Sequence, residues 1–414
     1  MAAANKNFTE VLFGDCPEIY NNTETLIYFG YSPVIISDLT SVYGMKGSAL
    51  LVSYDNDYVL HGRKIKDYLT GNGKKVVSRS FENHMPLTVE NAKLLLNLDG
   101  IDIIIAVGEK EIAEIVRYLA DWKGIASIYV PINPKVSFLL SNSVSVNLNG
   151  ERQKIKAKQF TSVIFDEDIY AKCRKQELAD AYGEIVGKSI TLIDYKIAVC
   201  MGESLFCKEA YESVRGALKI ALNISNGCKV AEFLALAELK LTLADSVSDI
   251  LNYGSQLNVS RILAAYDGDV PDGEREIEAF YKLIKLYKLY FVNDFSKILS
   301  LPDFCEAAAE LAEIFQRPES EFIGKACVPK YSEIIRSVEF KKLADSSFSE
   351  EINGIIQLIP HITENYNYIF NSRKKLSSFT SDQLKTAVRL GAYLNNNISA
   401  LRFLRDDGTL EYLK

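Results

Sequence analysis

A strand, a turn and a helix follow one another in residues 101–123, IDIIIAVGEKEIAEIVRYLADWK. The residues before Gly108 are nearly all Ile, Val and Ala, which is typical of a parallel strand covered on both faces. After Gly108, apolar residues recur every three or four positions, as on one face of a helix. This unit predicts a parallel sheet whose strands alternate with helices.

The same alternation extends to both sides of this unit. Short apolar runs predict strands at 34–37, 49–54, 75–81, 101–107, 125–130 and 161–165. Helical spacing between these runs predicts helices at 58–69, 89–98 and 109–123. We therefore expect a Rossmann-like α/β domain over residues 1–170, with an open, doubly wound and mostly parallel sheet.

A β-hairpin interrupts the alternation. Apolar and polar residues alternate on both sides of Asn149-Gly150, which is the strongest short-range signal for a hairpin. The second arm carries four basic residues on one face: Arg152, Lys154, Lys156 and Lys158. Two interpretations stay open: a solvated edge strand protected by lysines, or a strip that faces phosphate or another anion.

Helical spacing dominates the rest of the chain. It is clearest at residues 203–223, 228–251, 273–291 and 381–405, whereas the more polar stretch 329–380 predicts an inserted or extended pair of helices. We expect an all-helical domain over residues 171–414. In such a two-domain arrangement, a small-molecule ligand would lie in the cleft between the domains.

The composition excludes several classes of protein. A net charge of −7 over 414 residues argues against a dedicated nucleic-acid binder. The seven cysteines form no C-x-x-C pair, so we expect free thiols in a reducing compartment. The first residues show no basic region followed by an apolar core, so we expect no signal peptide, and no run of about 18 apolar residues occurs. The expectation is a soluble, cytoplasmic protein with no membrane partner.

Three stretches carry a resemblance to a known family. Residues 153–170, QKIKAKQFTSVIFDEDIY, resemble the hairpin and the following strand of the iron-containing alcohol dehydrogenase and dehydroquinate synthase superfamily. Residues 179–195, ADAYGEIVGKSITLIDY, are similar to its SGFGDLISNYTAVYDW segment, and residues 390–410 resemble its closing helix and final Asp-x-Gly turn. The nearest branch contains the glycerol-1-phosphate and glycerol dehydrogenases. The resemblance implies an oxidoreductase scaffold that uses NAD(P) and Zn or Fe, in a homo-oligomer.

The diphosphate-binding turn that the resemblance implies is altered here. The family pattern GGGSVID lets backbone N–H groups approach the cofactor phosphates. The matching positions are Gly108, Glu109 and Lys110, followed by Glu111 in place of serine. Carboxylates here would repel a diphosphate, and they would equally stabilise the start of the helix to which they belong.

Two further ligand positions follow from the resemblance. The acidic residue of a VTD pattern, which faces the adenosine ribose in the family, corresponds to Tyr54. Asp55 could replace it, although a local turn explains Asp55 equally well. In the substrate loop after residue 130, Ser137 stands where the family has Asp, and Lys135 is the charged residue of that loop. Lys158 completes the substrate positions that we consider.

The metal site implied by the resemblance is the most altered. The family binds Zn or Fe with one Asp and two His, and the metal polarises the alcohol oxygen. The corresponding residues are Glu184, Leu257 and Asp272, and none of the three histidines (His61, His84 and His361) falls at a ligand position. Two carboxylates and a leucine do not make a tight zinc site.

These alterations leave more than one functional hypothesis. The first is a divergent family member that lacks the metal- and NAD-dependent activity and is re-purposed for ligand binding or another role. The alternative is an active NAD(P)-dependent oxidoreductase acting on a polyol or polyol phosphate, with an atypical carboxylate metal site at Glu184 and Asp272. A lyase or cyclase chemistry on the same scaffold is a third.

Overall fold

The computed structural model describes residues 25–83, 85, 87–93, 100–148, 151–224, 229–292, 304–326, 338–370, 378–394, 399–406, 410 and 413. The chain divides into two compact units, each described by itself. The α/β unit comprises Met1–Leu178 and Gly227–Ser246, and the helical unit comprises Ala179–Asn226 and Val247–Lys414. Within the described residues, no helix is long and apolar enough to cross a membrane.

Among its described residues, the α/β unit contains eight strands. They are β1 (Leu26–Phe29), β2 (Ser48–Tyr54), β3 (Val76–Phe81), β4 (Ile101–Gly108), β5 (Ala126–Pro131), β6 (Ser143–Leu148), β7 (Glu151–Lys156) and β8 (Ser162–Phe165). Six of them form one parallel sheet in the order β1-β8-β5-β4-β2-β3. The apolar run that predicted β4 is buried along almost its whole length, as expected for a central parallel strand.

Helices connect these strands. They are α1 (Ser32–Val42), α2 (Arg63–Gly71), α3 (Val89–Lys93), α4 (Lys110–Lys123), α5 (Glu167–Tyr170), the start of α6 (Lys175–Cys200) and, later in the chain, α8 (Val230–Val247). A helical turn at Asp55–Asp57 and a π-helical turn at Tyr58–Gly62 lead into α2. The α/β fold with a parallel sheet is confirmed.

One predicted strand is wrong. Residues 34–37 lie inside α1, and the strand in this part of the described chain is β1, which precedes them. Pro33 stands in the first turn of α1, where a proline fits because that N–H has no helical partner. The Asp166 carboxylate accepts hydrogen bonds from the Ser32 backbone N–H (2.8 Å) and hydroxyl (2.5 Å). The Ser32 N–H, which has no acceptor within the helix, thus gains a partner at the start of α1.

The predicted hairpin is confirmed as an antiparallel pair of β6 and β7, with Ser145 opposite Lys154. Its Asn149-Gly150 turn lies outside the described residues. The end of the hairpin is held by Arg117 of α4, whose guanidinium donates to the carbonyl oxygens of Lys158 (2.6 Å) and Ala157 (3.1 Å) and also to that of Ser141.

The helical unit contains most of α6 and eight further helices among the described residues. These are α7 (Lys208–Leu222), α9 (Ser255–Tyr266), α10 (Asp272–Tyr287), α11 (Phe304–Phe315), α12 (Ser320–Ala326), α13 (Val338–Phe370), α14 (Ser381–Gly391) and α15 (Ala400–Asp406). The helical character of this part of the chain is confirmed. Residues 381–405 form two helices rather than one, and the described part of 329–380 is mainly one long helix that contains Pro360.

Two glycines bring α6 and α10 into backbone contact. A Cβ atom on Gly183 would overlap the carbonyl oxygen of Gly273, and one on Gly273 would overlap that of Asp180. The Asp180 carboxylate accepts a hydrogen bond of 2.6 Å from the Gly273 backbone N–H, at the start of α10. The GFGD-like segment therefore fixes one close helix crossing.

The described cysteines, Cys173, Cys200, Cys207 and Cys305, take part in no disulfide bond. Cys16, Cys228 and Cys327 lie outside the described residues, as do His84 and Gly408.

Candidate functional site

The turn between β4 and α4 is built around Gly108. This residue has φ +154°, a backbone conformation that side chains other than glycine rarely adopt. The Tyr129 hydroxyl, from the neighbouring β5, donates to the Gly108 carbonyl oxygen at 3.0 Å. A Cβ atom at this position would lie 3.2 Å from Oδ2 of Asp57. The strand, turn and helix of a phosphate-binding unit are therefore present.

Neutral polar side chains hold the two glutamates of this turn. Oε1 of Glu109 accepts from Nδ2 of Asn133, which follows β5, at 3.2 Å. Oε2 of Glu111 accepts from the Tyr54 hydroxyl, at the end of β2, at 2.8 Å. Burial raises the pKa of Tyr54, and the hydrogen bond to Glu111 raises it further. The phenol is therefore a stable donor to the carboxylate.

Asp57 adds a third carboxylate beneath the turn. Burial, together with the negative charges of Glu109 and Glu177, raises the pKa of Asp57 to about 6. Lys110, the basic residue of the turn, has its Nζ 5.5 Å from the centre of the Phe138 ring. The charges around Gly108 are therefore predominantly negative.

The residues present do not fit the diphosphate of a dinucleotide. The Tyr54–Glu111 hydrogen bond joins the end of β2 to the first turn of α4, the two places where the resemblance puts the cofactor ribose and diphosphate. Each like-charge contact with a phosphate would cost on the order of 1 kcal/mol or more near a surface. Glu109 at the N-cap and Glu111 in the first turn also place negative charge beside the helix N-terminus that would otherwise attract the phosphates.

The other predicted ligand positions are placed as follows. Asp55 begins the helical turn after β2 and is half-buried. Lys135 and Ser137 lie half-buried in the loop after β5, where the Lys135 backbone N–H donates to Oδ1 of Asn133 at 3.1 Å. Lys158 is exposed just after β7, and its carbonyl oxygen is the acceptor for Arg117.

The basic face of the hairpin lies close to a carboxylate. Burial raises the pKa of Asp245 on α8, and the positive charges of Lys154 and Lys110 offset part of that rise. Lys154 and Lys156 are exposed. These observations leave both interpretations of the strip, solvated edge or anion-facing surface, as predictions.

Three contributors to the turn were not identified from the sequence. Tyr129 looks like an ordinary apolar strand residue, and Asn133 like a loop residue, until β4 and β5 are placed side by side. Asp57 carried a usable signal, because it follows a strand that ends at the same edge of the sheet as β4.

The metal-ligand positions lie in the helical unit and do not form a metal centre. Glu184 is half-buried on α6, and Leu257 is half-buried on α9. Asp272 begins α10, its side chain is 60% exposed, and its carboxylate is paired with Arg275. Among the described residues, no three His, Cys, Asp or Glu side chains are grouped so that they could hold a metal ion. The residues present do not fit the family's Zn or Fe site.

Comparison with solved structures defines the class of fold. The chain superposes on a 1,3-propanediol oxidoreductase with a TM-score of 0.58, 11% identity and coverage of 94% of this chain and 98% of that one. For an iron-containing alcohol dehydrogenase of Thermotoga maritima, the TM-score is 0.55, with 9% identity and coverage of 93% and 97%. For the glycerol dehydrogenase of Schizosaccharomyces pombe, it is 0.50, with 17% identity and coverage of 86% and 94%. The fold is that of the iron-containing alcohol dehydrogenases.

Sequence comparison indicates the branch. A glycerol-1-phosphate dehydrogenase [NAD(P)+] of Bacillus licheniformis is 27% identical over 172 residues, which cover 38% of this chain and 43% of that protein. One from Pyrococcus horikoshii is 28% identical over 148 residues, covering 34% and 42%. The chain spans less than half the length of the curated relatives that it matches, and no protein-family model matches it. The resemblance to the superfamily, nearest its glycerol-1-phosphate and glycerol dehydrogenase branch, is confirmed.

Proposed function

We propose that this protein keeps the scaffold of a glycerol-1-phosphate or glycerol dehydrogenase but has lost the NAD(P)- and metal-dependent activity, and that it binds a different small-molecule ligand. The Tyr54–Glu111 hydrogen bond carries this proposal, because it joins the residue at the ribose position to a carboxylate in the first turn of the helix, where the cofactor diphosphate would have to bind. With Asp57 and Glu109 beside it, the turn favours a ligand without a diphosphate. A cytoplasmic location, a homo-oligomeric state and the lack of a nucleic-acid or membrane partner are parts of the same proposal.

A titration with reduced cofactor tests the proposal directly. Trp122 lies near the end of α4, the helix that begins at the altered turn, and its side chain is 64% exposed. NADH and NADPH are added to the purified chain, with and without Zn²⁺ or Fe²⁺, and Trp122 quenching is followed. We expect no saturable quenching up to millimolar cofactor. A Kd below about 100 μM, or roughly −5.5 kcal/mol, would contradict the proposal.

Restoring the turn provides the matched comparison. The triple variant Glu109→Gly, Lys110→Gly and Glu111→Ser recreates the family's glycine turn and removes the partner of Tyr54. We expect it to bind NADH more tightly than the unmodified chain. Asp121→Asn is the control, because it removes a carboxylate beside Trp122 at the other end of the same helix.

The alternative is an active NAD(P)-dependent oxidoreductase on a polyol or polyol phosphate. The names of the curated relatives favour it, and Glu184 and Asp272 would then be the metal ligands. It predicts stoichiometric metal in the purified protein and metal-dependent NAD(P) reduction with glycerol 1-phosphate or glycerol. Turnover that disappears in both Glu184→Ala and Asp272→Ala would establish this alternative.

A further inference from the structure

Basic side chains of the helical unit lie close to the positions where the family has its metal. Lys188 follows Glu184 by one helical turn on α6, and Glu276 follows Asp272 by one turn on α10. Nζ of Lys188 lies 3.0 Å from Oε2 of Glu276, and the two side chains are only 12% and 6% exposed. This is an ion pair between the same two helices that carry the carboxylate positions.

Gly187 makes room for this pair. A Cβ atom on Gly187 would lie 2.8 Å from Oε2 of Glu276, closer than a Cβ atom approaches a carboxylate oxygen in practice. Gly187 therefore allows the Glu276 carboxylate to reach the surface of α6 beside Lys188. The backbone contact of Gly183 with Gly273, one turn earlier, sets the helices close enough for the pairing.

Arg275 forms the second part of the arrangement. One of its terminal nitrogens is paired with the Asp272 carboxylate, and the other donates to the carbonyl oxygen of Val270. The residue is 7% exposed, so this guanidinium is held by its contacts rather than by solvent. Both carboxylates in question on α10, Asp272 and Glu276, thus have a basic partner within the helical unit.

We infer that Lys188 supplies, between α6 and α10, the positive charge that a divalent metal supplies in the family, while Arg275 neutralises Asp272 within α10, so that the two helices pack stably without a metal ion. A carboxylate away from water is costly unless a positive charge or hydrogen bonds compensate it. In a metal-dependent relative, the ion can provide this compensation. Here Lys188 compensates the buried Glu276 carboxylate, whereas Asp272, which is 60% exposed, is shared between solvent and Arg275. The packing of the helices is therefore independent of metal supply.

Metal content and thermal stability test this inference. We expect the purified chain to contain far less than one metal ion per chain and to keep its Tm in EDTA and in added Zn²⁺ or Mn²⁺. Lys188→Ala should lower the Tm by about 5–10 °C, because it leaves the Glu276 carboxylate without its cation. Millimolar Mn²⁺ should restore part of this loss, because an ion can again neutralise Glu276.

Lys196→Ala is the control variant. Lys196, two turns further along α6, pairs with Glu351 at 2.8 Å. This variant should lose stability without recovery in Mn²⁺, because the Glu351 carboxylate keeps the hydrogen bond from the Tyr211 hydroxyl (2.5 Å). Two results on the unmodified chain would overturn the inference: stoichiometric metal, or a Tm that falls in EDTA. Two results on Lys188→Ala would do the same: an unchanged Tm, or a loss of Tm that no divalent ion restores. These readouts are independent of the Trp122 titration, which probes the α/β unit.

Discussion

Asp57 is the residue at which the electrostatics of the altered turn can be measured. Its folded-state pKa of about 6 lies above the ordinary value of 3.8, because burial and the charges of Glu109 and Glu177 disfavour the carboxylate. Ionised Asp57 therefore lowers the free energy of unfolding at neutral pH. This destabilisation disappears once acid protonates Asp57. Asp57→Asn should raise the free energy of unfolding by about 1 kcal/mol at pH 7.5, after allowance for its partial exposure. The gain should fade between pH 7 and pH 4 in urea titrations.

Asp102 provides a comparison of opposite sign. Hydrogen bonds from the backbone N–H groups of Gly47 (2.6 Å) and Lys46 (2.7 Å) lower its pKa. Asp102→Asn should therefore lose stability at neutral pH, and this loss should shrink only as pH falls from the ordinary pKa of an aspartate towards the lower folded-state pKa of Asp102. If both variants respond to pH with the same sign, the environment assigned to Asp57 is wrong.

At the residue scale, the sequence shows which groups are altered but not what holds them. Glu109, Lys110 and Glu111 can be identified from the chain because they replace a recognisable glycine pattern. Their partners cannot, because Tyr54 is 57 residues from Glu111 and Asn133 is 24 residues from Glu109. Only the order of β2, β4 and β5 in the sheet brings these pairs together.

At the element scale, α1 shows how a tertiary contact overrides a local pattern. The run Val34-Ile35-Ile36 favours a strand by β-propensity, which depends strongly on context. Asp166 lies more than 130 residues away in the chain, and its Oδ2 accepts a hydrogen bond from the Ser32 N–H at the start of α1. Its Oδ1 accepts hydrogen bonds from the N–H groups of Asp168 and Ile169 in α5. One carboxylate therefore caps two helices.

The double cap predicts a large loss from a single substitution. Asp166→Ala should reduce the free energy of unfolding by about 2–4 kcal/mol, because the starts of α1 and α5 lose their acceptor together. Asp168→Ala is the control, since its 2.8 Å pair with Lys64 joins two side chains that are at least half exposed. That variant should cost much less than Asp166→Ala, because water screens an exposed ion pair. Equal losses in urea unfolding would show that Asp166 does not cap both helices.

The crossing of α6 and α10 makes a second prediction at this scale. Gly183→Ala should cost about 3 kcal/mol or more, because the new Cβ atom overlaps the Gly273 carbonyl oxygen and the helices must separate. Gly354→Ala on α13 is the matched control, since nothing lies within 4 Å of its Cβ position. It should gain about 0.5–1 kcal/mol from helix propensity. Urea unfolding of both variants checks the contrast, which a tolerated Gly183→Ala would refute.

At the scale of the whole molecule, chain order and structural units do not coincide. The sequence predicts an α/β half followed by a helical half, and both classes of structure are present in that order. The α/β unit nevertheless includes Gly227–Ser246, which follow part of the helical unit in the chain. Composition could not reveal this, because α8 has the apolar, helical pattern of its sequence neighbours and belongs to the α/β unit only through its contacts.

Those contacts predict that residues 1–178 do not fold fully by themselves. Oγ1 of Thr242 on α8 accepts a hydrogen bond of 3.0 Å from the backbone N–H of Leu140, and both residues are buried. A fragment ending at Leu178 lacks α8, so it exposes Leu140 and its apolar neighbours and leaves that N–H without its acceptor. We expect this fragment to bind the dye ANS, to lose its near-UV circular dichroism and to unfold without a cooperative transition.

A linked fragment provides the control. Joining residues 227–247 to the end of residues 1–178 through a flexible Gly/Ser segment should restore cooperative unfolding. The same linked fragment with Leu234 and Thr242 replaced by Asp should not unfold cooperatively. Cooperative unfolding of the fragment alone, with native near-UV dichroism, would show that α8 is dispensable for the α/β unit.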